Sequence, residues 1–117
     1  MPTAYLIVES QITDPETFKR YMASAPEAVA AFGGAYLVRG GRIEVLEGKW
    51  QPARLTVLRF ASFEQGKAMY DSPAYVHARS LREGATALFN MVLVEGVDAP
   101  LLAVSSSSKP TLSQGQA

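Results

Sequence analysis

Three segments of the chain are apolar on both faces of the strand that each would form. They are residues 3–12, 54–60 and 87–95. Their β-branched and aromatic content predicts strands, and the side chains of a strand alternate between its two faces. In the first segment Tyr5 and Ile7 therefore oppose Leu6 and Val8, and the other two segments alternate similarly. A sheet of such strands needs apolar cover on both faces, which constrains the fold more than any motif does.

The first helix is predicted directly after the first strand. Asp14 is the expected N-cap, with Pro15 at the first helical position. Apolar residues recur at helical spacing through 18–32, and Gly33-Gly34 predicts the end of the helix. Pro26 lies inside this pattern. Because proline lacks an N–H and its ring clashes with the carbonyl four residues earlier, a kink or a restart is expected there.

Two shorter helices are predicted after the strand at 54–60. Ser62 opens a capping box for a helix over 63–70, and Ser72 is the expected N-cap of a further helix over roughly 73–83. Together with the first helix, these segments are sufficient to cover one face of the sheet.

The stretch LVRGGRIEVLEGKW predicts a β-hairpin between the two helical regions. Ala35–Arg39 and Arg42–Leu46 would be its arms, and Gly40-Gly41 can adopt the positive φ of a two-residue turn. Residues 47–53 are expected to form a loop. The order of elements is then β-α-β(hairpin)-β-α-β.

This order predicts an α+β, ferredoxin-like βαββαβ fold with an extra β-hairpin. Its sheet would be antiparallel, with both helical regions on one face. The second apolar face would remain uncovered within one chain, and a large exposed apolar face marks an interface. We therefore expect a homodimer with the two sheets packed face to face, since two-fold dimers are the commonest oligomers.

The composition changes near Val97. The following sequence, DAPLLAVSSSSKPTLSQGQA, has a run of four serines and no aromatic residue, which predicts a flexible tail over 98–117. Within it LLAV, at 101–104, could dock on a partner or on the domain itself. The folded domain is expected to span 1–97.

The bulk properties exclude several classes of protein. A net charge of zero argues against nucleic acid as a partner. The chain has no cysteine and one histidine, so thiolate metal sites and multi-histidine sites within one chain are excluded. No apolar run is long enough for a membrane span, and the N-terminus has no basic region typical of a signal peptide. We expect a cytoplasmic protein without a metal or a bound cofactor.

Five short motifs, in this order and spacing, resemble a known bacterial family, domain of unknown function 1330. They are TDPETFKRY (13–21), FGGAYLVRGG (32–41), VLEGKW (45–50), YDSPAY (70–75) and LVEGV (93–97). The resemblance covers nearly all of 1–97 and implies a dimeric α/β barrel. It implies no settled activity. The wider superfamily includes cofactor-free monooxygenases, small-ring isomerases and haem-binding enzymes, and fold alone does not choose among them.

Arginine and tyrosine supply the candidate binding residues. A guanidinium binds a carboxylate through two parallel hydrogen bonds, so Arg39 could anchor a small organic acid. Arg42 is expected to be solvated or paired with a nearby glutamate. Tyr75 and Arg82 share a predicted helix face with Arg79, and Tyr70 precedes them. The substrate-binding prediction is Arg39, Tyr70, Tyr75 and Arg82, with no catalytic residue assigned.

Two further groups have weaker functional interpretations. Glu9 and Arg59 lie within otherwise apolar strands and are expected to form a structural ion pair if they share a face. His77 has the intrinsic pKa of a general base, although a lone histidine in a short polar helix is more often exposed.

Two functions of different classes follow from these residues. The first is an enzyme without a cofactor that acts on a small apolar or aromatic acid in a pocket between sheet and helices. The second is a non-catalytic dimeric protein with a ligand-binding or structural role.

Overall fold

A computed structural model describes residues 2–97 as four strands and three helices. The elements are β1 (Ala4–Ile12), α1 (Pro15–Ala31), β2 (Ala35–Arg39), β3 (Arg54–Phe60), α2 (Phe63–Asp71), α3 (Pro73–Ser80) and β4 (Thr86–Glu95). The predicted tail over 98–117, with its LLAV segment, lies outside the described residues. None of the helices in this part of the chain is long and apolar enough to cross a membrane.

The helices begin where the capping residues predict. The Asp14 side chain accepts hydrogen bonds from the backbone N–H of Thr17 at 3.2 Å and from its hydroxyl at 2.7 Å. These bonds lower the pKa of the Asp14 carboxyl, the hydroxyl bond having the larger effect. Ser62 and Ser72 cap α2 and α3 in the same way. These three side chains satisfy N–H groups that a helix leaves without an internal partner.

Helix α1 continues through Pro26 as a single α-helix. The restart that proline predicts at this position is not present. Proline still removes one hydrogen bond from the helix, because it has no N–H to donate to the carbonyl of Met22. This unpaired carbonyl becomes important at the functional site.

The four strands form an antiparallel sheet in the order β2-β3-β1-β4. This is the ferredoxin-like arrangement that the sequence predicts, with β1 and β3 in the centre. Leu6 faces Leu58 across one strand pair and Leu93 across the other. The three residues lie on the helix side of the sheet, in or packed against the hydrophobic core.

The predicted second arm of the hairpin, Arg42–Leu46, is not a strand in the structure. The backbone N–H of Gly40 donates to the carbonyl of Leu55 at 2.9 Å, so Gly40 continues the pairing of β2 with β3. The chain bends at Gly40, but no second strand follows, and a loop runs from there to β3. The predicted β-hairpin therefore does not form within residues 2–97.

The face of the sheet opposite the helices is mainly apolar and has no helix of residues 2–97 over it. Ile7 lies at its centre, directly between Val57 and Val92. Val92 is 59% exposed and Val94 is 43% exposed. The prediction that both faces are apolar is confirmed, and residues 2–97 supply helices to only one of them.

Glu9 and Arg59 share this open face but do not form the predicted ion pair. Arg59 is paired across the strands with Tyr5, four positions from Glu9. The carboxylate of Glu9 instead accepts hydrogen bonds from Nε1 of Trp50 at 3.1 Å and Nδ2 of Asn90 at 3.3 Å. The strand register thus keeps the charges of Glu9 and Arg59 apart.

The division between core and surface can be tested with one substitution made at two helical positions. Val29 of α1 is 3% exposed, whereas Val76 of α3 is 46% exposed. Val29→Ala should lower the free energy of unfolding by about 2 kcal/mol through lost burial and a residual cavity. Val76→Ala should change it by less than about 0.5 kcal/mol, although both substitutions gain the same helix propensity. Urea titration measures both values, and equal losses would contradict the assignment of the core.

Candidate functional site

A cavity lies between the sheet and helices α1 and α3. Its floor includes two polar residues, Ser10 of β1 and Thr56 of β3, among apolar neighbours such as Val8. The cavity measures about 30 Å³. One water needs roughly 10–15 Å³ on this scale, so two or three water-sized groups fit. The space is small, apolar on most sides and polar at a few defined points, as binding pockets are.

Arg39 lies at the opening of this cavity. It is the exposed member of the lining, so we place the route to solvent beside it. Its Nη2 donates to the carbonyl of Met22 at 2.9 Å, the carbonyl that Pro26 leaves without a helical partner. Its guanidinium also lies 4.7 Å from the centre of the Tyr36 ring. Burial raises the pKa of the Tyr36 hydroxyl, and the charge of Arg39 offsets part of that rise.

Arg54 is a second cation in the lining, one that the sequence analysis did not single out. Arg54 is directly opposite Ser10 in the strand pairing and is half-buried. The guanidinium of Arg54 lies against the backbone of Gly40, where a Cβ would displace it. Gly40 also has a φ of 74°, a conformation that favours glycine. Within residues 2–97 neither Arg39 nor Arg54 forms a salt bridge.

Two tyrosines from separate helices meet at the cavity. The hydroxyls of Tyr21 and Tyr75 are 2.5 Å apart, and both side chains line the space. Tyr75 is 1% exposed. Burial raises the pKa of the Tyr21 hydroxyl far above its usual value, Tyr75 adds to the rise, and Arg82 offsets part of it. The Tyr21 hydroxyl therefore stays protonated at physiological pH.

The predicted site residues are divided between the cavity and its surroundings. Arg39 and Tyr75 line it, whereas Tyr70 lines a separate space of about 160 Å³ between α2 and β4. Arg82 does not line the cavity but contacts two residues that do. Its guanidinium is 3.7 Å from the centre of the Phe89 ring and 5.0 Å from that of the Tyr21 ring. The shared helix face predicted for Tyr75 and Arg82 does not form, because α3 ends at Ser80.

Within residues 2–97, the arginines beside the cavity contact aromatic rings and not carboxylates. Arg79 lies 4.1 Å from the centre of the Tyr70 ring, while Asp71 pairs with Lys67. A guanidinium over an aromatic face is attracted by the ring quadrupole. The contact between Tyr70 of α2 and Arg79 of α3 therefore connects these two helices outside the cavity lining.

The lining contains no acidic residue and no histidine. His77 is exposed and lines neither cavity. In the described range, 2–97, no group of three or more acidic or histidine side chains could hold a metal ion. The polar chemistry of the cavity is thus confined to guanidinium and hydroxyl groups.

The bond between Arg39 and Met22 can be tested with a double-mutant cycle. We expect Arg39→Ala to destabilise the wild-type protein by about 1 kcal/mol more than it destabilises the Pro26→Ala variant. In that variant a backbone N–H returns to satisfy the Met22 carbonyl, so the loss of Arg39 matters less. Urea unfolding of the four proteins measures the difference. Arg42→Ala, paired with Pro26→Ala, is the control and should show no coupling; zero coupling for Arg39 would remove the link to Pro26.

The comparison with solved structures shows the fold at low sequence identity. A protein of unknown function from Rhodopseudomonas palustris is 14% identical, with a TM-score of 0.65 over 84% of this chain and 85% of that one. A dimeric ferredoxin-like protein of unknown function from Thermobifida fusca is 13% identical, with a TM-score of 0.55 over 80% and 91%. A "putative antibiotic biosynthesis monooxygenase" from Nitrosomonas europaea is 16% identical, with a TM-score of 0.54 over 82% and 91%.

No curated protein matches the sequence. The model of one protein family, domain of unknown function (DUF1330), matches residues 3–97, which is most of the chain. The predicted resemblance is therefore confirmed, and the chain belongs to the DUF1330 family.

Proposed function

We propose that this protein binds a small apolar or aromatic carboxylic acid in the cavity between the sheet and helices α1 and α3. The observation that carries the proposal is the position of Arg39 and Arg54 on an otherwise mainly apolar cavity, with neither forming a salt bridge in residues 2–97. A carboxylate would pair with these guanidiniums, and the apolar part of the acid would replace water against the core.

The flexibility of the lining supports a ligand larger than the empty space. Met22, Met69 and Met91 all contribute to the wall. Methionine has three rotatable bonds and adapts to irregular volumes. An acid with a small ring is larger than the empty cavity, so its binding requires these side chains to rotate and enlarge the space.

Two classes of function remain for such a site, and a different observation supports each. A cofactor-free enzyme is supported by the likeness in fold to a protein named as a monooxygenase. A non-catalytic ligand-binding protein is supported by the lining, which offers no carboxylate or histidine as a general base. Binding of the acid is common to both, so it is the property to test first.

We also propose that the open face of the sheet binds a second copy of this chain. Ile7, Val92 and Val94 lie exposed on that face, and a contiguous apolar surface is typical of an interface. The protein from Thermobifida fusca with the same fold is described as dimeric. Packing of the two open faces would give the dimeric barrel and leave both cavities on the outer, helical sides.

The acid-binding proposal predicts a specific loss in Arg39→Ala. Titration calorimetry with benzoate and cyclohexanecarboxylate should show binding that weakens about 10- to 100-fold in this variant, because a charged hydrogen bond to the ligand is lost. Arg42→Ala is the matched control, since Arg42 lies exposed in the loop after β2. It should bind like the wild type.

Equal affinities of Arg39→Ala and the wild type would remove Arg39 from the site. Failure of the wild-type protein to bind any small carboxylate would refute the proposed function itself.

The proposed interface can be tested by placing a lysine either on the open face of the sheet or on the helical side of the molecule. Val92 is 59% exposed on the open face, and Val76 is 46% exposed on α3. Val92→Lys should convert a dimer into a monomer at micromolar concentration, because two buried ammonium groups would face each other across the interface. Val76→Lys should remain dimeric. Light scattering gives the mass; a monomeric wild type, or a dimeric Val92→Lys variant, would contradict the proposal.

A further inference from the structure

The pair of hydroxyls formed by Tyr21 and Tyr75 has one more proton than its own hydrogen bond uses. Each phenol carries one O–H donor, and the 2.5 Å contact between the two oxygens consumes only one of them. Neither hydroxyl has another side-chain or backbone acceptor within residues 2–97. One O–H in this pair is therefore available to a group outside the pair.

The surroundings of the pair leave the cavity as the place for that bond. Arg82 is the charged neighbour of Tyr21, but a guanidinium only donates hydrogen bonds and cannot accept one. Phe89 and Phe18 lie against the Tyr21 ring and are apolar. Both tyrosines line the cavity, where an acceptor atom of a ligand can reach them. An O–H held in this position stays protonated, because burial opposes its ionisation.

The two ends of the lining thus favour different groups. Arg39 and Arg54 both come from the β2–β3 side of the sheet, where their charges favour a carboxylate. Tyr21 and Tyr75 come from the helices that cover the sheet, and they favour a neutral acceptor oxygen. A carboxylic acid without a second oxygen would pair with Arg39 and Arg54. It would leave the free O–H of the Tyr21–Tyr75 pair buried without an acceptor, which is unfavourable.

We infer that the ligand of this cavity is an oxo or hydroxy acid: a carboxylic acid with a second oxygen, which accepts a hydrogen bond from the Tyr21–Tyr75 pair. This inference rests on the proposed function and goes further by naming the class of acid. The carboxylate pairs with the arginines, and the second oxygen distinguishes the true ligand from an acid of the same shape without it.

Two acids that differ by one oxygen provide the test. Cyclohexanecarboxylate and 4-oxocyclohexanecarboxylate have similar shapes, and a ketone only accepts hydrogen bonds. Titration calorimetry on the full chain should give about tenfold tighter binding of the oxo acid. The gain is modest because water in the empty cavity can accept the same bond and the ligand must displace it.

The double variant Tyr21→Phe with Tyr75→Phe should bind the two acids equally. Replacing both tyrosines together leaves no unpaired buried hydroxyl, so this variant should fold. If this variant still binds both acids, the cavity is intact and only the preference for the second oxygen has been lost. Tyr36→Phe is the control, because Tyr36 also lines the cavity but is not part of the pair. It should keep the tenfold preference.

The outcomes separate this inference from the proposed function. Equal binding of both acids by the wild type would overturn the inference and leave acid binding in place. A preference that survives in the double variant, or that disappears in Tyr36→Phe, would also overturn it, since another donor would then hold the oxygen. If neither acid binds at millimolar concentration, the proposed function fails and the inference fails with it.

Discussion

The hydrogen bond from Arg39 to the carbonyl of Met22 connects the helical layer to the end of β2 at the mouth of the cavity. A regular helix would have no free carbonyl at this position, and Pro26 provides one by lacking the N–H that would bind it. The guanidinium is thereby held beside the opening while its remaining donors stay available to a ligand. Pro26 predicts a kink or restart in α1 from the sequence, but its effect in the structure is to free the Met22 carbonyl for Arg39. Helix and strand are joined at the point where the anion is proposed to bind.

The surrounding arginines are held by contacts other than ion pairs. The guanidinium of Arg82 stacks on the Phe89 ring and that of Arg79 on the Tyr70 ring. The guanidinium of Arg54 packs against the backbone of Gly40. An arginine that already has a carboxylate partner must give it up before it can bind an acid, whereas stacking on a ring leaves the edge of the guanidinium free. Because the acidic side chains of residues 2–97 lie outside the cavity lining, the net potential there favours an anion even though the whole chain has no net charge.

Much of the fold could be predicted from the sequence, because strand alternation and helix caps are local signals. Asp14, Ser62 and Ser72 cap the helices as expected, and the two apolar faces of the sheet follow directly from β1 and β4.

The site could be predicted only in part. Arg39 was recognisable from its place directly before Gly40-Gly41. The contact between Tyr21 and Tyr75 joins residues 54 positions apart, and no spacing rule brings two separate helices together. Tyr21 was indistinguishable from a core residue on the apolar stripe of α1. Arg54 was missed because its place beside Gly40 depends on strand pairing across a loop.

The central strand β1 allows the two proposed interactions to coexist without competing for surface. Ser10 forms part of the cavity floor, and its neighbour Glu9 faces the opposite side, where Trp50 and Asn90 bind its carboxylate. Alternation along one strand thus places even positions on the cavity side of the sheet and odd positions on the open face. A change on the open face can reach the cavity through the backbone of the strands, because β1, β3 and β4 each have residues on both faces. The two central strands, β1 and β3, are paired with a neighbour on each side. Ligand binding and assembly should therefore be largely independent of each other, and any coupling between them would have to pass through a shift in the register or twist of the sheet.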